Sequence, residues 1–563
     1  MTIPGKSQAP RTGLPGRTSD FLSERHQHRS VPSHFRVPAK KPLSIMKFGG
    51  TSVGDAACIG RVVEIVRAAS KDSDVIVVVS AMSGVTNQLI AAAGRAQAGD
   101  CQEMTSTFVD LRRLHHAAAT SLIQSEAERS RIAEKINELF EEGERFCQGI
   151  ALLHELTPRT RDAISSLGER LSVPLVAAAL AECGVASAAV EATELVVTDG
   201  CHGNAEPKMD LTRQRCEARL RPLLQRGIIP VVTGFIGATA DGVLTTLGRG
   251  GSDYSATIVG AALGADQVII WTDVDGLQTA DPRLVPAVLT LVEVSYGEAA
   301  ELAYFGAKVL HPKTLRPVMQ CGIPLWVRNT FAPERAGTKI TPRGPQDAEA
   351  NTGAVTALTA ISDVCLLTLG GPALAGVQDV LGRVSRTTAS VRAEVLLISQ
   401  ASAQNGLCLV IPSANAKDLV HALRHEFARE FAREPGESIV VDENVAVITV
   451  VGRKMTSSPG TAGRIFATLG RENINIVAMV QGSSECGLTF VVARTNMKTA
   501  LVTLHREFQL AGILSGRADT DEDRNVGCRN YAWSDFPLPS DHNAEPARAA
   551  GIQEGADASR CPS

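Results

Sequence analysis

The run Asp74-Val75-Ile76-Val77-Val78-Val79-Ser80 restricts the fold of this chain more than any other segment. Consecutive β-branched residues without polar alternation suit a strand covered on both faces, as in a parallel sheet flanked by helices. Related runs recur at Ser44-Ile45-Met46-Lys47-Phe48, Ile228–Gly234 and Gln267–Thr272. Windows of helical period separate them, the first carrying Ile59, Val62, Val63 and Val66. Strands alternating with helices predict an α/β domain with a mostly parallel sheet over 44–340.

The region after about residue 355 repeats itself. A gapless offset of 81 places Thr368 on Thr449, Gly371 on Gly452, Arg383 on Arg464, Gln400 on Gln481, Leu407 on Leu488, and Glu426-Phe427 on Glu507-Phe508. Each copy reads strand (Val364–Leu369; Val445–Val450), helix, strand, strand, helix, the order of a ferredoxin-like α+β unit. The expected boundaries are a linker over 341–355 and small units over 356–435 and 436–515.

Charge concentrates at the ends. Residues 1–43 hold eight Lys/Arg against Asp20 and Glu24, and residues 517–563 hold five Arg against nine Asp/Glu. Both 1–43 and 516–563 read as disordered tails. The basic arm lacks interleaved aromatics and the body is mildly acidic, so no nucleic-acid partner is expected. That arm has no apolar core of a secretory signal; its Arg/Ser bias leaves an organellar transit peptide open, although its prolines oppose the amphipathic helix such peptides need. The most apolar windows, Val173–Val190 and Tyr254–Trp271, contain Glu182 and Asp266, so no membrane span is expected. Twelve cysteines without paired spacing fit a reducing, cytoplasmic setting.

Three glycine-rich turns follow buried strands: Lys47-Phe48-Gly49-Gly50-Thr51-Ser52, Ser80–Asn87 and Leu247–Ala256. Small residues there let backbone N–H groups approach an anion, and the next helix presents its positive end. None fits G-x-x-x-x-G-K-[ST] or G-x-G-x-x-G. Each alone reads as turn or packing glycine; three at the strand ends of one sheet favour a phosphate site. Lys47 leaves its strand directly into a turn, and Arg249 sits among Gly248, Gly250 and Gly251, free to reach a carboxylate. Glu169 lies at a helix start. Asp275 and Asp281 read as turn formers, His311 as a helix-end residue, and His421 with His425 as a solvated face.

These segments, read as KFGGTSVG, SAMSGVTN, GERLS (Gly168–Ser172), LGRGGSDYSA, WTDVDG (Trp271–Gly276) and FGAKVLHP (Phe305–Pro312), resemble the aspartate kinases of the amino acid kinase superfamily. The tandem units, with Asn473–Val477 and Gln481–Glu485, are similar to the paired ACT regulatory domains of those enzymes. The wording is nearest to the kinase half of bifunctional aspartokinase–homoserine dehydrogenases, and no G-x-G-x-x-G of a dehydrogenase half follows Phe508. The resemblance implies the amino acid kinase fold over 44–340 followed by two ACT units, with ATP-dependent phosphorylation of the L-aspartate β-carboxylate to 4-phospho-L-aspartate. That reaction opens the biosynthesis of lysine, threonine and methionine.

Carried over by position, the resemblance implies catalytic roles for Lys47 and Asp253, with aspartate held by Thr86, Glu169 (ammonium) and Arg249 (α-carboxylate). It places ATP against Lys47, Gly49, Gly50, Thr51, Ser52, Thr272, Asp273, Arg283 and Lys308. Mg2+ is expected on the phosphates, with no protein metal site. Gln400, Gln481 and Asn475 would contact an amino-acid effector, in a homodimer or tetramer. The first unit reads Gln400-Ala401-Ser402-Ala403-Gln404 where the family often has a Ser/Ser/Glu run, so its site takes a different effector or none. A non-catalytic amino-acid sensor and a kinase acting on glutamate are the competing readings; the intact charged set opposes the first and the ACT pair the second.

Overall fold

A computed structural model describes residues 41–306, 309–345, 355–370, 374, 379–401, 406–433, 439–453, 455–481 and 485–511. The expected terminal tails, Lys308 and much of the 341–355 linker lie outside the described residues. The first domain contains strands β1 (Leu43–Phe48), β2 (Asp74–Val79), β3 (Ser187–Val190), β4 (Ile229–Thr233), β5 (Ile236–Ala238), β6 (Leu244–Thr246), β7 (Gln267–Thr272), β8 (Glu293–Ser295), β9 (Leu325–Asn329) and β10 (Thr338–Thr341). Eight form one sheet in the order β3-β4-β2-β1-β7-β9-β10-β8, and β5 pairs with β6 in a separate hairpin. Of the neighbouring pairs in the large sheet, only β9–β10 is antiparallel.

Two-sided burial explains the unbroken apolar runs. Ile45, Ile76, Val78, Val268 and Ile270 enter one core, whereas Met46, Phe48, Val77, Val79, Ile269 and Trp271 enter the core on the opposite face. Phe48 and Trp271 stack across β1 and β7 with centroids 6.0 Å apart. A third core fills a helical layer built from Val85–Gln97, Cys101–Leu122, Glu126–Leu153 and Leu167–Glu182. The stretch Pro158–Glu182 is long and apolar enough to cross a membrane, yet most of it is buried inside the protein, where it supplies core. Every described cysteine is a free thiol.

The second region contains β11 (Ala357–Leu369), β12 (Leu397–Ala401), β13 (Gly406–Pro412), β14 (Ile439–Val451), β15 (Ile476–Gln481) and β16 (Gly487–Ala493). Helices Val380–Ser390 and Ala416–Glu426 in the first copy recur as Thr461–Arg471 and Met497–Glu507, each displaced by the same 81 residues as the sequence repeat. Side-chain contacts repeat too. Arg383 bonds Glu426 at 2.8 Å and its guanidinium covers the Phe427 ring at 4.1 Å; Arg464 bonds Glu507 at 3.2 Å and covers Phe508 at 4.6 Å.

The two copies share one antiparallel sheet, ordered β12-β13-β11-β14-β16-β15, and exchange strand halves within it. Leu366–Leu369 of β11 pairs with Ile439–Asp442, while Ala357–Ile361 pairs with Val447–Val451. The opening of β14 thus serves as fourth strand of the first unit, and the opening of β11 as fourth strand of the second. Irregular register around Ile361–Leu366 separates the two halves. Division of the chain at 435/436 therefore crosses a shared sheet.

This region sits against the α/β domain. Thr359 Oγ1 donates to the Phe305 carbonyl at 2.8 Å, Leu358 N–H donates to Thr279 O at 2.8 Å, and Tyr304 OH donates to Val395 O at 3.2 Å.

Candidate active site

The parallel sheet directs the ends of β1, β2 and β7 to one edge, where loops and helix starts converge. Lys47 lies on β1 beside Val78 of β2 and Ile270 of β7, and Gly49 N–H donates to Trp271 O at 3.1 Å. The Lys47 ammonium is 2.5 Å from Asp253, in the first turn of helix Gly251–Leu263, and both side chains are largely buried. A lysine so paired is fixed in direction before any ligand arrives.

Two glycines make the geometry possible. Gly250 has φ 70° and caps that helix, and a Cβ on it would come within 2.6 Å of His311 Cβ. A Cβ on Gly168 would meet Ala81 at 2.6 Å and Thr86 Oγ1 at 3.2 Å, so only glycine lets helix Leu167–Glu182 close on the Ser80–Asn87 turn. This approach puts Glu169 and Thr86 in the lining of one cavity.

Lys47, Thr86, Glu169, Arg249 and Asp253 all line one cavity of about 980 Å³. Glu169 is 4% exposed, and among the described residues its Oε2 has no hydrogen-bond partner. Burial pushes its carboxyl up to about 8, against the opposing pull of the Ala81 and Glu169 backbone N–H groups and of Lys47. Among the described residues nothing pairs with the Arg249 guanidinium, which is exposed to the cavity. A fixed lysine, a free guanidinium and a buried carboxyl can together receive an amino acid and a phosphoryl group.

The remaining expected residues are not in the lining of that cavity. Thr51 and Ser52 form a 3-10 turn in which Ser52 Oγ meets Thr330 Oγ1 at 2.7 Å. Thr272 ends β7 and its hydroxyl bonds Asp273 at 3.3 Å. Arg283 is exposed and ion-paired with Asp281 at 2.6 Å, apart from the cavity lining. His311 caps helix Pro312–Cys321, its Nδ1 accepting from Lys313 N–H. Gln400 and Gln481 occupy equivalent exposed positions on β12 and β15, opposite Leu407 and Leu488, and Asn475 precedes β15.

Sequence reasoning missed Asp162. It is 2% exposed, and its carboxylate accepts from His202 Nδ1 at 2.7 Å, Gly203 N–H at 3.1 Å, Thr246 N–H at 3.3 Å and Thr246 Oγ1 at 2.6 Å. It thereby ties the 199–204 loop to β6, immediately before the Gly248-Arg249-Gly250 turn. An aspartate on a short helix gives no periodic signal for this role; only its donors, 40 to 84 residues away, define it.

Residues 42–329 match the amino acid kinase family, and residues 448–508 match the ACT domain family. The chloroplastic bifunctional aspartokinase/homoserine dehydrogenase 1 of Arabidopsis thaliana is 33% identical over 479 residues, which is 84% of this chain and 52% of that protein. The chain thus spans about half the length of the bifunctional relatives it matches. Chloroplastic aspartokinase 1 of the same plant is 30% identical over 488 residues, 85% of this chain and 82% of the relative. Among solved structures, E. coli aspartokinase III in complex with aspartate and ADP superposes with a TM-score of 0.71 at 30% identity, covering 83% of this chain and 100% of that one. The same enzyme in complex with lysine and aspartate gives 0.67 at 30% identity, covering 83% of this chain and 99% of that one.

Proposed function

The chain belongs to the amino acid kinase family, on its aspartokinase branch with ACT units, and from that premise we propose that it transfers the γ-phosphoryl group of ATP to the β-carboxylate of L-aspartate. The observation that carries this reading is one cavity holding the Lys47–Asp253 pair, the buried Glu169 and Arg249, whose guanidinium has no partner among the described residues.

The β-carboxylate is ionised at neutral pH, so no general base is required. The protein's part is positioning and charge neutralisation. Arg249 takes the α-carboxylate, Glu169 the ammonium, Thr86 supports the substrate, and Lys47 meets the developing phosphoryl charge. Gly49, Gly50, Thr51, Ser52, Thr272, Asp273, Arg283 and Lys308 serve the nucleotide. Among the described residues no three His, Cys, Asp or Glu side chains converge as a metal cage. Mg2+ would be carried on the nucleotide phosphates, where it would supply further charge neutralisation. Mg-ATP and aspartate should yield aspartate-dependent ADP release and a hydroxylamine-trapped acyl phosphate; no signal from pure protein overturns the assignment.

Glu169 gives this reading a pH signature. Its carboxyl, raised to about 8, holds a proton at pH 7, whereas the substrate ammonium needs the carboxylate. Apparent aspartate affinity should therefore climb as pH rises toward about 8 and then level, by at most about tenfold per pH unit. Calorimetry at pH 7 in buffers of differing ionisation heat should register proton release on aspartate binding, and Glu169→Gln should abolish it. Equal release by both proteins removes Glu169 from the ammonium site.

The ACT pair supports amino-acid feedback in a homodimer or tetramer, with the enzyme acting in the cytoplasm at the first step toward lysine, threonine and methionine. Threonine, lysine or methionine, added singly, should change the activity. Gln481→Ala should raise the effective effector concentration about tenfold. Unchanged activity with all three rejects effector control.

A further inference from the structure

The internal repeat supplies its own control for one unusual residue. Helix Val380–Ser390 ends in a left-handed turn at Arg392, φ 53°, and helix Thr461–Arg471 ends 81 residues later in the same turn at Asn473, φ 54°. The hydrogen bonds coincide: Arg392 N–H to Ala389 O and Ala393 N–H to Thr388 O in one, Asn473 N–H to Gly470 O and Ile474 N–H to Leu469 O in the other. Asparagine takes this conformation readily, whereas arginine adopts it against a steric penalty.

The two turns differ in surroundings. Arg392 lines the cavity that holds Lys47 and Arg249, and among the described residues its guanidinium has no partner; Asn473 does not line that cavity. Its position is held from the α/β side, because Tyr304 OH anchors Val395 O three residues on. The neighbouring Glu394 charge is felt at His311, which packs under Gly250.

We propose that Arg392 is a substrate-binding residue lent to the catalytic cavity by the first ACT unit of the same chain, its guanidinium receiving a carboxylate of bound aspartate. Aspartate affinity then depends on where the regulatory unit sits, because one side chain of the binding site belongs to it. The strained turn is kept in this copy because a long cation, and no shorter side chain, spans from the ACT unit to the cavity.

The inference rests on reading the cavity as an aspartate site, and the test separates the two. Arg392→Asn copies Asn473, so the turn is preserved and thermal stability should be unchanged or higher. Its aspartate KM should rise about three- to tenfold, with kcat and the ATP KM within about twofold. Arg392→Glu should exceed that rise, Arg392→Lys should restore part of it, and added salt should shrink the wild-type advantage. Wild-type protein that neither binds aspartate in calorimetry nor turns it over refutes the cavity reading. Wild-type protein that does both, beside an Arg392→Asn variant of equal aspartate affinity, overturns the role of Arg392. So does an Arg392→Asn effect confined to ATP.

Discussion

Lys47→Met should lower kcat by about 10²–10³, the loss typical of removing one preorganised donor from a developing oxyanion. Lys47 is 8% exposed and its ammonium is 2.5 Å from Asp253, so its direction is set before any ligand binds. Its charge matters most as negative charge builds on the transferring group, so the loss should fall on kcat, with the aspartate KM changing little. Removal also strands the largely buried Asp253 carboxylate without its cation. Lys47→Met/Asp253→Asn should therefore recover part of the deficit relative to Lys47→Met alone. Steady-state kinetics read both quantities, and urea unfolding shows whether the variants fold. A kcat within tenfold of wild type would remove Lys47 from the reaction.

Arg249→Ala should raise the aspartate KM about ten- to hundredfold, the cost of one lost charge-assisted contact, with the ATP KM within about twofold. Among the described residues this guanidinium has no protein partner, so its removal should change stability by no more than about 0.5 kcal/mol. Arg249→Lys keeps the charge without the bidentate fork and should fall between. An equal loss in both KM values would show the turn acting on the whole cavity instead of on aspartate.

Much of this site was legible because its parts are local. A charge beside a glycine turn at the end of a buried run is a short-range pattern, but the three turns do not share one sheet: Lys47 ends β1 of the parallel sheet, whereas the Arg249 turn follows β6 of the separate hairpin, and the two meet with Asp253 in one cavity. Glu169 was legible as a helix-start acid, but its raised carboxyl follows from burial, which depends on how its helix packs against the Ser80–Asn87 turn more than 80 residues away. Asp162 and Arg392 carried no such signal. The first is defined by distant donors, and the second by how two independently patterned regions pack.

The regulatory sheet shows the same division. Alternation and the repeat picked out Val364–Leu369 and Val445–Val450, the halves of β11 and β14 that pair within their own units. The opening halves, Ala357–Ile361 and Ile439–Asp442, were missed because periodicity reports that a segment is extended and says nothing about which strand accepts its hydrogen bonds.

That reciprocal exchange also limits how the regulatory region can be cut. Two polypeptides that lend each other an edge strand form a strand-swapped dimer whose assembly depends on concentration. Here a tether joins the partners, so pairing is intramolecular and the effective concentration stays fixed however dilute the protein becomes. A fragment beginning at residue 436 would leave the outer edge of β14 open, ready to recruit the same edge of another fragment.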